Sequence, residues 1–110
     1  MNKILITGAA GLLGTELCRQ LSNDENNEIW AVDNLSRSGA PPPCKQMIVQ
    51  DLSEAVNVLP LDFDYIYHYG AVNGTKNFYQ NPNWVLENNL CSDINIFNFA
   101  KKCTNLKRIV

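Results

Sequence analysis

The chain has 110 residues, of which 45% are hydrophobic, enough to fill the core of one domain and too many for a disordered segment. Nine basic against eleven acidic side chains leave a formal charge of -2 with no Lys/Arg stripe, which argues against nucleic acid or an anionic membrane surface as partner. No apolar run is long enough to span a bilayer. Met1-Asn2-Lys3-Ile4 opens like a signal peptide but is interrupted at Gly8 and Gly11, so a cytoplasmic protein that binds a small molecule is expected.

The first apolar run predicts a strand over 3–7, and Leu13, Leu17 and Leu21 recur at helical spacing within a helix predicted over 11–22. Between them lies Thr7-Gly8-Ala9-Ala10-Gly11-Leu12-Leu13-Gly14, a glycine-spaced turn in the context of a pyrophosphate-binding strand-turn-helix. Gly8 would allow the tight turn, Gly11 the approach of backbone to a phosphate, and Gly14 close packing of helix on sheet. A second strand over 28–32 leads to Asp33, about where an acidic ribose ligand is expected. Its carboxylate suits the adenosine ribose hydroxyls and favours NAD, although Arg37 offers a route to NADP; Asp33-Asn34 is also an ordinary turn opener. From Asn34 to Pro43 the chain carries Ser36, Ser38, Gly39 and three consecutive prolines, a surface loop.

A third strand over 46–49 ends before Asp51, which reads equally as a cap of a short helix over 53–59 and as a ligand of the adenine amino group. The fourth strand, 64–68, runs through Tyr65-Ile66-Tyr67-His68 into Tyr69-Gly70-Ala71, whose small residues would let backbone lie against a cofactor. His68 reads as a strand-end histidine with a satisfied hydrogen bond rather than a general base. Asn73 to Tyr79 is expected to be a loop at the carboxyl end of the sheet, where ligands of open α/β sheets bind, with Asn81-Pro82 marking entry to the next helix.

That helix, predicted over 83–102, is apolar on two sides: Leu86, Leu90, Ile94 and Phe97 on one, Val85, Ile96, Phe99 and Cys103 on nearly the opposite one. One face would cover the sheet; the other would meet a neighbouring helix or a second subunit, and a helix wholly inside one domain gives the same pattern. A last strand begins near 106. The alternation predicts an α/β fold, a doubly wound parallel sheet of about five strands. Cys18, Cys44, Cys91 and Cys103 form no C-x-x-C pair and His68 is the sole histidine, so a zinc site is not expected and the thiols read as structural.

Taken together, Gly8-x-x-Gly11-x-x-Gly14, Asp33-Asn34-Leu35, Asp51-Leu52, His68-Tyr69-Gly70-Ala71 and Asn88-Asn89-Leu90 resemble the extended short-chain dehydrogenase/reductases, specifically nucleotide-sugar epimerases, dehydratases and decarboxylases. The resemblance covers all 110 residues. It implies an NAD(P)-binding Rossmann fold in which the amides of Leu12 and Leu13 bind the pyrophosphate, Asp33 the ribose, and Asp51 with Leu52 the adenine, with Asn34 also at the cofactor. Gly70, Ala71 and Val72 would line the cofactor, and Asn89 would sit near its nicotinamide. Two departures stand out: Gly70-Ala71 replaces a pair of alanines, and Ser92-Asp93 replaces a frequent Gly-Thr, which bears on the packing of that helix.

The family's chemistry, as the resemblance implies it, is transient oxidation of a nucleotide sugar by NAD, assisted by a Tyr-x-x-x-Lys pair. Here Tyr65, Tyr67, Tyr69 and Tyr79 are followed at that spacing by Tyr69, Ala71, Asn73 and Asn83. The expectation is therefore an amino-terminal, cofactor-binding part of such an enzyme, cut before its reacting residues and its nucleotide-sugar domain and inactive alone. A non-catalytic NAD-binding module is the alternative. A homodimer through helix 83–102 would fit either.

Overall fold

The computed structural model describes residues 1–35, 41–72 and 75–110. Arg37, with Ser36, Ser38 and Gly39 of the predicted surface loop, and Asn73-Gly74 of the second predicted loop, lie outside the described residues. The chain runs β1 (Asn2–Thr7), α1 (Leu12–Leu21), β2 (Asn27–Asp33), β3 (Gln46–Val49), β4 (Tyr65–His68), α2 (Thr75–Gln80), α3 (Pro82–Lys102) and β5 (Arg108–Ile109). The five strands lie in the order β3-β2-β1-β4-β5 and every neighbouring pair is parallel. Strand order therefore reverses between β1 and β4, and the crevice outside the carboxyl ends of those strands is where such sheets take ligands.

β1 is central because it can be buried on both sides. Ile4, Leu5, Ile6 and Thr7 are all buried, and their side chains alternate between the two faces of the sheet. Leu5 joins Val32, Ile66, Phe63, Ile96 and Phe99 beneath α3, whereas Ile4 and Ile6 join Ala9, Cys18, Ile29 and Ala31 beneath α1. Helices thus cover opposite faces, as the doubly wound reading expects. Burial of an aromatic or leucine side chain contributes about 1.5–3 kcal/mol, so the Phe63, Phe99 and Leu5 group anchors α3 more firmly than any surface ion pair does.

Three local expectations are corrected. The predicted helix over 53–59 does not form: Asp51 Oδ1 accepts both the Ser53 amide at 2.9 Å and its hydroxyl at 2.8 Å, and the segment that follows is irregular. Val56 and Leu59 still enter the core, each as an anchor on irregular chain. Within the predicted loop 73–79, residues from Thr75 onward form α2, whose end passes directly into α3 through Asn81, with Pro82 as the first helical residue. Of the predicted apolar stripe of α1, Leu17 and Leu21 pack against the core and Leu13 does not. Gly14 and Cys18 face inward while Leu13 is 70% exposed, because Gly14 must meet the turn that precedes the helix.

The four cysteines are free thiols. Burial pushes Cys18 up to about 12, with Cys44 nearby as a smaller cause, and burial also raises Cys44 and Cys103. Thiols held protonated in this way are poor nucleophiles and act as packing groups.

Candidate functional site

The site is built where β1 leaves the sheet. Gly8 takes a left-handed φ of 64°, and the Gly11 amide donates back to the Gly8 carbonyl at 3.1 Å, closing the turn. Gly11 is the N-cap of α1, and no side chain caps the helix. The first amides of a helix have no partner inside it and carry the positive end of its dipole; here they belong to Leu12 and Leu13, whose side chains point into solvent. The turn is packed tightly from behind. A Cβ on Gly14 would be driven into the Gly8 carbonyl and would come within 2.8 Å of the Ala9 Cα, so this glycine serves contact with the turn more than with the sheet.

Asp33, at the end of β2, reaches across to this turn. Its Oδ2 accepts the Ala10 amide at 3.0 Å and its Oδ1 accepts the Leu35 amide at 2.7 Å. A carboxylate oxygen has room for a further donor, so both oxygens are oriented without being used up. Leu35 is held at a φ of 60°, a left-handed conformation costing a leucine about 1–2 kcal/mol. Leu35→Asn is accordingly expected to raise stability by about 0.5–1 kcal/mol, seen as a higher thermal midpoint. An unchanged or lower midpoint would show that the Leu35 side chain contributes more than its backbone costs.

Asn34 is exposed beside Asp33. Asp51 is exposed and performs the turn-capping role described above, while Leu52 is buried with its carbonyl bonded to Asn95 Nδ2 at 2.8 Å. Leu52 borders Gly70, where an added Cβ would meet Leu52 Cδ1 at 2.8 Å. Gly70 in turn stands against the opening turn, since a Cβ on Gly8 would meet its amide nitrogen at 2.8 Å. Asn89 grips Val72 with both ends of its amide, accepting the Val72 N–H at 2.7 Å and donating to its carbonyl at 2.9 Å. Gly8, Gly14, Asp33, Leu52, Gly70, Val72 and Asn89 are thereby joined around one crevice, with Gly11, Leu12 and Leu13 on its rim and Ala71 exposed.

His68 has both ring nitrogens engaged, by Thr7 Oγ1 at 2.6 Å and Asp93 Oδ1 at 2.8 Å, as expected of a satisfied strand-end histidine. Thr7, Ser92 and Asp93 are contributors that sequence reasoning assigned no task. Ser92 and Asp93 follow Asn89 by three and four residues, which puts all three on one helical face, and that spacing was the available signal. A hollow of about 320 Å³ between Met1, Glu28, Pro43 and Lys45 lies at the amino ends of the strands and holds none of these residues. Among the described residues no group of His, Cys, Asp and Glu is placed to hold a metal ion.

The crevice has the features that the adenosine and pyrophosphate of a dinucleotide require. It offers a helix start free of side-chain caps, glycines where a Cβ would collide, and an oriented carboxylate one strand away. Residues 4–110 match the NAD dependent epimerase/dehydratase family. The chain belongs to that family. UDP-glucuronic acid decarboxylase 1 of Danio rerio is 32% identical over 105 residues, covering 91% of this chain and 25% of the relative. UDP-glucose 4-epimerase of Pisum sativum is 27% identical over 125 residues, covering 98% of this chain and 35% of the relative. The chain thus spans about a quarter to a third of the length of these epimerase/dehydratase relatives. Among solved structures, the Bordetella bronchiseptica enzyme WbmF in complex with NADH superposes with a TM-score of 0.85 at 21% identity over 98% of this chain and 34% of that one. A UDP-galactose 4-epimerase gives 0.81 at 23% identity over 97% of this chain and 36% of that one. These likenesses show the Rossmann-type fold. No helix among the described residues is long and apolar enough to cross a membrane.

Proposed function

We propose that residues 1–110 are the NAD-binding portion of a nucleotide-sugar epimerase, dehydratase or decarboxylase. The carrying observation is the Gly8–Gly14 turn at the strand-order reversal, tied to the Asp33 carboxylate through the Ala10 amide. In this reading the Leu12 and Leu13 amides, with Gly8, Gly11 and Gly14 around them, hold the pyrophosphate. Asp33 and Asn34 hold the adenosine ribose, and Asp51 with Leu52 borders the adenine. Gly70, Ala71 and Val72 form the wall opposite, and Asn89 acts at the nicotinamide end by fixing Val72. NAD, when bound, takes up and returns a hydride at the sugar. The chain's own residues bind and orient; no Tyr-x-x-x-Lys pair occurs within them, so these residues alone are expected to bind NAD without turning over a nucleotide sugar. Free thiols throughout support a reducing, cytoplasmic compartment.

Calorimetry with NAD and NADP, followed by product analysis with UDP-, GDP- and dTDP-sugars, tests this reading. Binding that favours NAD, with no product, is expected. Robust turnover would overturn the division of labour, and absence of NAD binding would overturn the site.

The same reading includes a homodimer through α3. Leu86, Leu90, Ile94 and Phe97 are each 51–59% exposed, while Ile96 and Phe99 on the other side are buried. A single apolar stripe on one helix is self-complementary across a two-fold axis, which favours a second copy as its occupant. Sedimentation equilibrium is expected to give a dimer mass that Leu90→Glu reduces to a monomer. A wild-type monomer at high concentration would contradict it.

A further inference from the structure

A side-chain chain runs from the buried end of β1 to the outer part of α3. The Gly70 amide donates to Thr7 Oγ1 at 3.0 Å, Thr7 Oγ1 lies 2.6 Å from His68 Nδ1, and His68 Nε2 lies 2.8 Å from Asp93 Oδ1. Donor and acceptor roles along it follow from its two ends, neither of which has a choice. The Asp93 carboxylate only accepts, so the single imidazole proton resides on Nε2 and is donated to it. Nδ1 of that tautomer is the acceptor, so Thr7 turns its hydroxyl proton toward Nδ1 and receives the Gly70 amide proton on its oxygen. Each bond orients the next, so the chain behaves as one network.

Its inner end is the wall of the candidate site. The Gly70 amide that Thr7 holds is the atom 2.8 Å from where a Gly8 Cβ would lie, and a Cβ on Gly70 would come within 3.3 Å of the Gly8 nitrogen. α3 grips the same segment twice more, through Ser92 Oγ to the Gly70 carbonyl at 3.2 Å and through Asn89 to Val72. Asp93 differs from these two because it touches neither the segment nor the turn, and its side chain is 52% exposed. It acts only through His68, whose side chain is 11% exposed.

We propose that Asp93 is a positioning residue for the NAD-binding turn, holding the Gly70 amide against Gly8 through the His68 Nε2–H tautomer and Thr7. The proposal rests on the NAD reading of this crevice. It gives a task to the Ser92-Asp93 pair, the larger of the two departures from the family pattern noted in the sequence.

His68 is the only histidine, so its imidazole nitrogens can be read without assignment in a long-range 1H–15N spectrum of the full chain. Wild type is expected to show a protonated Nε2 and an unprotonated Nδ1, and this measurement requires no variant to fold. NAD affinity by calorimetry is expected to fall about three- to tenfold in Asp93→Ala, the loss of one oriented hydrogen bond, with the tautomer preference weakened. Asp93→Asn, whose side-chain oxygen still accepts from Nε2, is expected to stay within about twofold of wild type. A proton on Nδ1 in wild type overturns the proposal, as does Asp93→Ala binding NAD as tightly as wild type; both leave the cofactor reading standing. A wild type with the Nε2–H tautomer and no NAD affinity overturns the cofactor reading and this role with it.

Discussion

Gly8→Ala is expected to lower stability by about 2–5 kcal/mol and to abolish measurable NAD binding. The added methyl would sit 2.5 Å from the Tyr69 carbonyl oxygen and 2.6 Å from its carbon, and it would be carried on a backbone at φ 64°. Both obstacles belong to main chain, which cannot rotate out of the way. β1 is buried from Ile4 to Thr7, right up to the turn, so relief requires separating β1 from the β4 end or flattening the turn. Urea unfolding reads the effect directly, and a wild-type midpoint would contradict it. Gly11→Ala is the informative contrast. Its Cβ would meet only the Gly8 carbonyl, at 3.2 Å, from an ordinary φ of -77°. It should fold within about 1 kcal/mol of wild type while weakening NAD, because the methyl stands at the rim where the pyrophosphate would approach.

Asp33→Ala is expected to weaken NAD about ten- to a hundredfold, since hydrogen bonds to a charged acceptor contribute about 1.5–3 kcal/mol each and 1.4 kcal/mol is tenfold. The substitution also strips the Ala10 and Leu35 amides of their acceptor, so some loss of stability accompanies it. The ratio of NAD to NADP affinity separates the two effects. Removing a carboxylate that repels a 2'-phosphate should bring the two cofactors together, whereas a loosened turn weakens both alike. Equal NAD affinity in wild type and variant would remove Asp33 from the site.

Which parts of this architecture were legible in the sequence follows from where the physical signal is local. β1, β2 and β3 are near-continuous apolar runs ended by Gly8, Asp33 and Gln50-Asp51, and the expected bounds lie within a residue of those observed. α3 announced itself by length and by Pro82, and its two apolar faces separated as expected into a buried and an exposed one. Residues 53–59 misled because Asp51 reads as a helix cap, while its side chain commits the chain to a tight turn instead. α2 was missed because Phe78 and Tyr79 are exposed, leaving six residues without a buried stripe to detect. Leu13 misled because the inward position went to Gly14, whose value lies in having no side chain.

The candidate site divides in the same way. Glycines and a strand-end carboxylate at set intervals are visible in one dimension. The partners that hold them are not: Thr7 meets His68 and Gly70 across more than 60 residues of chain, and Asn95 meets Leu52 across 43. Asn89 illustrates the difference. The resemblance implies a place near the nicotinamide, and what the fold adds is that its amide bonds both ends of Val72, so it supports the wall of the crevice.

Whether the crevice between the β1 turn, Asp33 and the β4 end takes the adenosine and pyrophosphate of NAD is decided by a 1H–15N correlation titration of the chain with NAD. Shifts concentrated at the amides of Gly8 to Gly14, Asp33 to Leu35 and Gly70 to Val72, saturating together, are the expected result. Saturating shifts centred elsewhere, at the Met1, Glu28 and Lys45 hollow for example, or a spectrum unmoved by millimolar NAD, would contradict it.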